Sequence, residues 1–264
     1  ALFRDMRDNG SNRRLFAALT QSPRFCNIGL AFYRNRLDFE MEKQFSAVTC
    51  LLGDGTAYVA YRGTDSTFVG WKEDFNMAFM TPVPSQQEGA AYLNLVGHEF
   101  SRDIRVGGHS KGGNIAVYSA AACDPDVQKR IIEVFSHDGP GFREEFLQCP
   151  EYARIRDRIH KTLPQSAMVG MLLQHSEKYS VVKSNRIGLM QHDPFSWAVE
   201  NGDFVSVGTV KSSAMFMDET LNAWADSLDD QKRETFINAL YEVIKATDAK
   251  TIYDLTDRWQ EKAV

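Results

Sequence analysis

Apolar positions along the chain follow two periods, one typical of strands and one typical of helices. Runs rich in apolar, β-branched and aromatic residues predict strands at 45–52, 56–61, 104–107, 131–136 and 179–183. Helical spacing predicts helices over the first twenty residues and at 86–102, 115–122 and 152–160. This alternation predicts a mostly parallel sheet with helices on both faces. The first two strands, joined by the turn Gly53-Asp54-Gly55, are expected to form a β-hairpin.

From Asp218 onward the chain changes to residues that favour helices. Apolar residues at helical spacing predict one helix at 221–228, a second at 236–244 and a third that ends near Trp259. No internal repeat, low-complexity stretch or linker rich in Gly and Ser divides the sequence. We therefore expect one α/β domain at 1–217 and a helical extension at 218–264 that packs on the same domain.

The charge balance of the 264 residues argues against a nucleic-acid partner. The formal charge is −5, and the chain has no long basic run of the kind that binds phosphates. The four cysteines lie far apart without the spacing of a zinc site, so we expect free thiols. No apolar run is long enough to span a membrane and no signal peptide opens the sequence, which begins at Ala1 without a Met. A cytoplasmic protein is expected.

The segment Gly108-His109-Ser110-Lys111-Gly112 matches G-x-S-x-G, the pattern of a nucleophile elbow. It lies between a predicted strand and a segment typical of a buried helix, as that motif requires. Glycines make room in the tight turn, so that the serine oxygen is exposed at the carboxyl edge of the sheet. The Lys111 N–H would open the helix and face the oxyanion of an acyl intermediate. The alternative is a glycine-rich turn that only packs the helix closely on the sheet.

A serine nucleophile needs a base, and the base needs an acid that orients it. His192 is the strongest of the six histidines, because it follows the last predicted strand by a loop at the carboxyl edge. Asp138 follows the strand at 131–136 and gives the chain order Ser, Asp, His. Asp193 and Asp65 remain alternatives for the acid. His192 could instead have a structural hydrogen-bonding role, and Asp138 could form a local turn.

Two further roles are considered for residues at the predicted carboxyl edge of the sheet. His109 is expected to pack beside the nucleophile rather than to act as its base. Asp138, His192 and Asp193 could together bind a metal, but they lie far apart and follow no recognised metal spacing. A serine mechanism needs no metal or organic cofactor, and we expect none.

With these motifs in view, the chain resembles the class 3 lipase-like branch of the α/β hydrolases. Within that branch it is similar to the bacterial Mbeg1-like family, a domain of unknown function assigned to that fold. The matching segments are 44–48, 62–65, 70–76, 107–114, 138–142 and 191–193. They lie within residues 10–245, and their combination is much more specific than the elbow alone.

The resemblance implies an α/β-hydrolase fold with an oxyanion hole and a lid. Thr64 stands where class 3 lipases place the hydroxyl residue of the oxyanion hole, which the Lys111 N–H would complete. Residues at about 65–80 would form the lid, with an apolar underside that includes Trp71 as a substrate contact. The alternative is that the aromatic residues of this segment simply pack in the hydrophobic core.

Two departures from class 3 lipases change the expectations. Those lipases carry the acid after the next strand, and near Asn185-Arg186 this sequence has no carboxylate. Lys111 replaces the usual Leu after the nucleophile, and we expect it to make the rim of the pocket more polar.

The leading hypothesis is a serine hydrolase that cleaves carboxylic esters, with a small acyl ester or lipid-like molecule as substrate. A thioesterase or an acyltransferase would use the same residues. The alternative from another class is a binding or regulatory protein that kept the lipase-like fold and lost turnover, which the missing carboxylate favours.

Overall fold

The computed structural model describes residues 8–65, 67–211, 220, 222–223 and 227–245. One eight-stranded sheet organises them. Its strands, in sheet order, are β1 (Gly29–Asp38), β2 (Lys43–Leu51), β3 (Ala57–Tyr61), β4 (Ile104–His109), β5 (Ile131–His137), β6 (Ile159–Pro164), β7 (Tyr179–Val182) and β10 (Ser206–Val207). Two short strands, β8 (Val199–Glu200) and β9 (Asp203–Phe204), form a separate hairpin.

The centre of the large sheet is parallel. Strands β3 to β7 pair in parallel, whereas β1, β2 and β3 form an antiparallel meander and β10 pairs antiparallel with β7. The mostly parallel sheet and the predicted hairpin of β2 and β3 are therefore confirmed, and the chain has the α/β-hydrolase fold. Because parallel strands end at the same edge, the loops after β3, β4 and β5 meet there.

Helices alternate with these strands along the chain. They are α1 (Asn9–Gln21), α2 (Phe68–Asn76), α3 (Pro84–Glu99), α4 (Lys111–Ala122), α5 (Pro125–Gln128), α6 (Glu144–Leu147), α7 (Pro150–Ile155) and α8 (Asp230–Lys245). Helix α4 contacts α3, α7 and strands β3 to β5, so these three helices share a face. Alternate strand residues point to them, and Tyr92, Val106 and Ile115 are fully buried in the core between the layers.

The opposite face of the central strands is more polar. Arg105 on β4 pairs with Glu133 on β5 through a 2.6 Å contact from Nε to Oε2, and His160 on β6 lies 3.5 Å from the same carboxylate. These side chains are partly exposed. No helix in the described ranges is long and apolar enough to cross a membrane.

Some predicted elements were wrong. The helix expected at 152–160 ends at Ile155, and after one 3-10 turn the chain forms β6. Buried Ile159, Lys161 and Leu163 alternate along this strand, and the lysine hides that period in the sequence. Strand β1 was missed because most of its residues are exposed and it has no clear apolar face.

The helices predicted near the two ends of the chain are confirmed only in part. Helix α1 forms as predicted, but it buries none of its residues, and Phe16 is exposed. The helix predicted at 236–244 corresponds to α8. Most of the helix predicted at 221–228, and all of the one ending near Trp259, lie outside the described residues, as do residues 1–7.

Candidate active site

The nucleophile candidate lies on a sharp turn between β4 and α4. Ser110 has φ +58° and ψ −132°, a strained conformation for a residue with a side chain. A Cβ added at Gly108 would overlap the backbone of Gly112 and the carbonyl of Tyr61, and one at Gly112 would overlap the same carbonyl. Only glycine fits at both places. Ser110 therefore stands at the carboxyl edge of the sheet, where it is partly exposed.

The structure places Asp138 and His192 in direct contact at this edge. Nδ1 of His192 lies 2.7 Å from Oδ2 of Asp138, whose side chain is 1% exposed. Oδ1 of Asp138 accepts a 3.0 Å hydrogen bond from the Gly170 N–H. An ionised carboxylate can only accept, so Nδ1 is the donor, and in the neutral imidazole Nε2 is then an acceptor. A histidine in this tautomer can take a proton from a hydroxyl.

The two alternative acids are bound elsewhere. Asp193 pairs with Arg186 at 2.7 Å and accepts the Phe195 N–H at 3.0 Å, which caps a short 3-10 helix. Asp65 accepts hydrogen bonds from the backbone N–H and the hydroxyl of Thr67. No group of three metal-ligating side chains lies close enough to hold an ion within the described ranges.

A second histidine supports the first. His109 donates from Nε2 to the backbone carbonyl of His192 at 2.7 Å, and the two ring centroids are 4.5 Å apart. Buried Gln191 accepts the Ser166 N–H at 2.8 Å and donates to the Arg186 carbonyl at 2.8 Å. These bonds hold the 3-10 segment Gly188–His192 on the sheet edge. Gln191 lies in the matched segment 191–193, but nothing in the sequence indicated this buried role.

A buried carboxylate holds the predicted oxyanion residue. The hydroxyl of Thr64 donates to Oδ2 of Asp74 at 2.5 Å. Burial raises the pKa of Asp74 to about 6, although the nearby Lys111 charge and the Thr64 hydrogen bond act in the opposite direction. The other carboxylate oxygen of Asp74 has no hydrogen-bond partner among the described residues. Asp74 was not singled out from the sequence, because its role depends on the fold of α2.

The expectation that Lys111 makes the pocket rim polar is wrong. Its side chain is fully buried, with Nζ 3.0 Å from Oε2 of Glu73 and 3.0 Å from the carbonyl oxygen of Gln44. Glu73 is fully buried too and also accepts the Gln44 N–H. The carboxylate and the carbonyl draw the ammonium group beneath the turn, so that only the backbone of Lys111 faces the site.

Helix α2 occupies the segment predicted to be a lid. Two apolar residues of this segment, Val69 and Met77, are buried, whereas Phe75 is exposed. Trp71 is partly exposed and packs on Phe75, with ring centroids 6.4 Å apart. Some apolar residues of the predicted lid segment therefore belong to the core, and others face outward. Residue 66 and the side chain of Phe68 lie outside what the structure describes.

Two surface cavities lie away from these residues. One lies beside Met80, Tyr118 and Phe146, and the other beside Phe142, Leu173 and Arg233. Neither is lined by Ser110, Asp138 or His192, so neither is taken as the candidate site.

Comparisons with known proteins give a family and several lipase structures. Residues 19–242 match the family model described as Mbeg1-like. No curated protein matches the sequence significantly.

Three solved structures give the range of the structural similarity. The Rhizomucor miehei lipase–propeptide complex aligns at 15% identity and TM-score 0.45, over 59% of this chain and 57% of the lipase. A fungal lipase–inhibitor complex, solved as a model for interfacial activation, aligns at 18% identity and TM-score 0.45, over 61% of this chain and 68% of its own. M37 lipase aligns at 13% identity and TM-score 0.46, over 83% of this chain and 75% of its own. The alignment thus spans less than two thirds of the Rhizomucor miehei lipase.

Proposed function

The chain belongs to the Mbeg1-like family, and we propose that it is a serine hydrolase that cleaves carboxylic esters through an acyl-enzyme intermediate. The observation that carries the proposal is the hydrogen bond from His192 to Asp138, at the sheet edge that also bears a serine on a strained elbow. A histidine oriented by a carboxylate is the group that activates a serine hydroxyl within its reach.

The mechanism uses only side chains of this edge. Ser110 Oγ attacks the ester carbonyl while Nε2 of His192 accepts its proton. The tetrahedral intermediate collapses, His192 returns the proton to the leaving alcohol, and the acyl group stays on Ser110. Water then attacks the acyl-enzyme with His192 as the base, which releases the acid and restores the serine. Asp138 keeps the imidazole in the tautomer that both steps need.

The oxyanion would be bound by two groups from different loops. Lys111 is the first residue of α4, so its N–H points out of the helix N-terminus and is free of intrahelical hydrogen bonds. Thr64 follows β3, and its hydroxyl donates its single hydrogen to Asp74, so its backbone N–H is the group that would bind the oxyanion. Each donor contributes about 3 kcal/mol to transition-state stabilisation in sites of this type.

Exposed apolar residues just before His192 support a substrate with an apolar acyl group. Ile187, Leu189 and Met190 are exposed just before His192, where they can contact an acyl chain. Thioester cleavage and acyl transfer would proceed through the same acyl-enzyme, so the acceptor distinguishes these reactions.

A cytoplasmic location remains a prediction from the sequence.

Labelling with a fluorophosphonate probe tests the proposal. The wild type should be labelled, and Ser110→Ala and His192→Ala should not, because the probe reacts only with an activated serine. His98→Ala is the matched control, since His98 pairs with Asp124 on the protein surface and not with a candidate active-site residue. Failure to label a folded wild-type protein would favour a binding or regulatory role instead.

A further inference from the structure

Helix α2 is joined to the nucleophile elbow through a buried ion pair. Glu73, in the middle of α2, and Lys111, directly after the nucleophile, are both fully buried with 3.0 Å between Nζ and Oε2. Oε1 of Glu73 accepts the Ser85 N–H at 2.7 Å, and Oε2 also accepts the Gln44 N–H at 3.0 Å. One side chain of α2 therefore contacts β2, the start of α3 and the elbow at once.

Further contacts hold the middle and the C-terminal end of the same helix. Lys72 and Asn76 both bind the carboxylate of Glu42, Lys72 through a salt bridge and Asn76 through a 3.0 Å hydrogen bond. After the helix, the guanidinium group of Arg233 donates to the carbonyl of Ala78 at 3.1 Å. Together these contacts tie α2 and the turn after it to the residue just before β2 and to helix α8.

The site is open to solvent while α2 is in place. Ser110 is partly exposed, and the side chain of His192 is 17% exposed. Both residues therefore remain in contact with solvent while the helix is in place. A lid that must lift before substrate enters would instead cover them completely.

We infer that α2 is a fixed wall of the site, held by the Lys111–Glu73 ion pair, and that the enzyme acts on esters dissolved as single molecules without activation at a lipid surface. Lifting α2 would separate the two charges and leave each without its partner, which proteins strongly disfavour. A lipid surface can shift such an equilibrium only by its differential affinity for the lifted state. The part of the inference that names the substrate rests on the proposed function, whereas the fixed position of α2 does not.

Amide hydrogen exchange of α2 tests the fixed wall without requiring turnover. In the wild type, exchange in the peptide at 68–77 should be slow and unchanged by phosphatidylcholine vesicles. Lys111→Met should raise it by about tenfold or more, because Glu73 then lacks its cation. Lys129→Met is the control, since it removes a surface ion pair with Asp126 and should leave α2 unchanged.

If Lys111→Met does not fold, the pair Lys111→Met with Glu73→Gln restores neutrality and keeps an acceptor for the Ser85 or Gln44 N–H. The same acceleration is then expected, since the ionic link to the elbow is gone. Faster exchange of wild-type α2 with vesicles would overturn the inference. An unchanged rate in the folded variants would overturn the role given to the ion pair.

The substrate part is tested by the rate of hydrolysis of p-nitrophenyl butyrate and of tributyrin as each passes its solubility limit. We expect a smooth saturation curve with no jump where droplets appear. A jump of about tenfold or more in the wild type would overturn the inference. If neither ester is cleaved below or above the limit while α2 stays protected, it is the proposed function and the substrate part that fail, and the fixed wall stands.

Discussion

His192 and Asp138 are 54 residues apart in sequence, yet Nδ1 and Oδ2 lie 2.7 Å apart. Asp138 follows β5 and has φ +48°, which turns its side chain back over the sheet edge, where the Gly170 N–H holds its other oxygen. Near Asn185-Arg186, where the resemblance to class 3 lipases led us to expect the acid, this chain has no carboxylate. Because neighbouring parallel strands end at the same edge, a carboxylate after β5 can bind the same histidine.

Asp138→Asn should lower kcat by about 10⁴-fold while the protein stays folded. The asparagine oxygen can still accept the Gly170 N–H, so the backbone keeps its anchor. Its amide group, however, would favour the wrong tautomer of His192. Steady-state hydrolysis of p-nitrophenyl esters measures the loss.

The matched control for this prediction is Asp193→Asn. Asp193 binds Arg186 and the Phe195 N–H rather than the imidazole. Its substitution should reduce activity by much less than that of Asp138. Equal losses in the two variants would mean that both aspartates act only by holding the histidine segment.

The three candidate catalytic residues could be predicted because each lies in a local sequence pattern. Ser110 has its glycines two positions away on either side, and Asp138 and His192 follow predicted strands. The buried partners were not predictable in this way. Glu73 and Lys111 are 38 residues apart, and either could equally be a surface charge in the sequence. Only the packing of α2 against the elbow brings them together.

Thr64→Val tests whether the hydroxyl bond to Asp74 positions the Thr64 N–H for the oxyanion. Valine keeps the shape of threonine but cannot donate to Asp74, so the N–H loses this anchor. We expect kcat to fall by up to about 10²-fold with little change in KM, since the oxyanion forms only in the transition state. Thr64→Ser, which keeps the hydroxyl, should retain most of the activity. If the valine variant were as active as the wild type, the bond to Asp74 would have no part in positioning the oxyanion donor.

The elbow makes a prediction about stability. Gly108→Ala should destabilise the protein by about 3 kcal/mol, because the new Cβ would overlap the backbone at Gly112 and Tyr61. Urea unfolding measures the change. Gly53→Ala is the control, since a Cβ there meets nothing within 4 Å and should have little effect. A wild-type-like midpoint for Gly108→Ala would mean that the turn can widen freely.

Asp74 makes the stability of the protein depend on pH. Its pKa is about 6 in the folded protein, chiefly because of burial, against an ordinary value of 3.8. Between these values the folded state binds more protons than the unfolded state, so the contribution of Asp74 to stability falls as pH rises through this window. Above pH 6 the full cost of burying the charge is present, up to about 3 kcal/mol.

Asp74→Asn removes this cost and keeps an oxygen that can accept the Thr64 hydroxyl. The variant should therefore be more stable than the wild type at pH 7, and the advantage should shrink between pH 6 and pH 4. Urea unfolding at pH 4, 5, 6 and 7 measures the difference between the two proteins. Asp126→Asn is the control of opposite sign, because the hydrogen bond and charge of Lys129 lower the pKa of that exposed carboxyl. A difference between Asp74→Asn and the wild type that stays constant from pH 4 to pH 7 would mean that Asp74 ionises in the folded protein as it does in water.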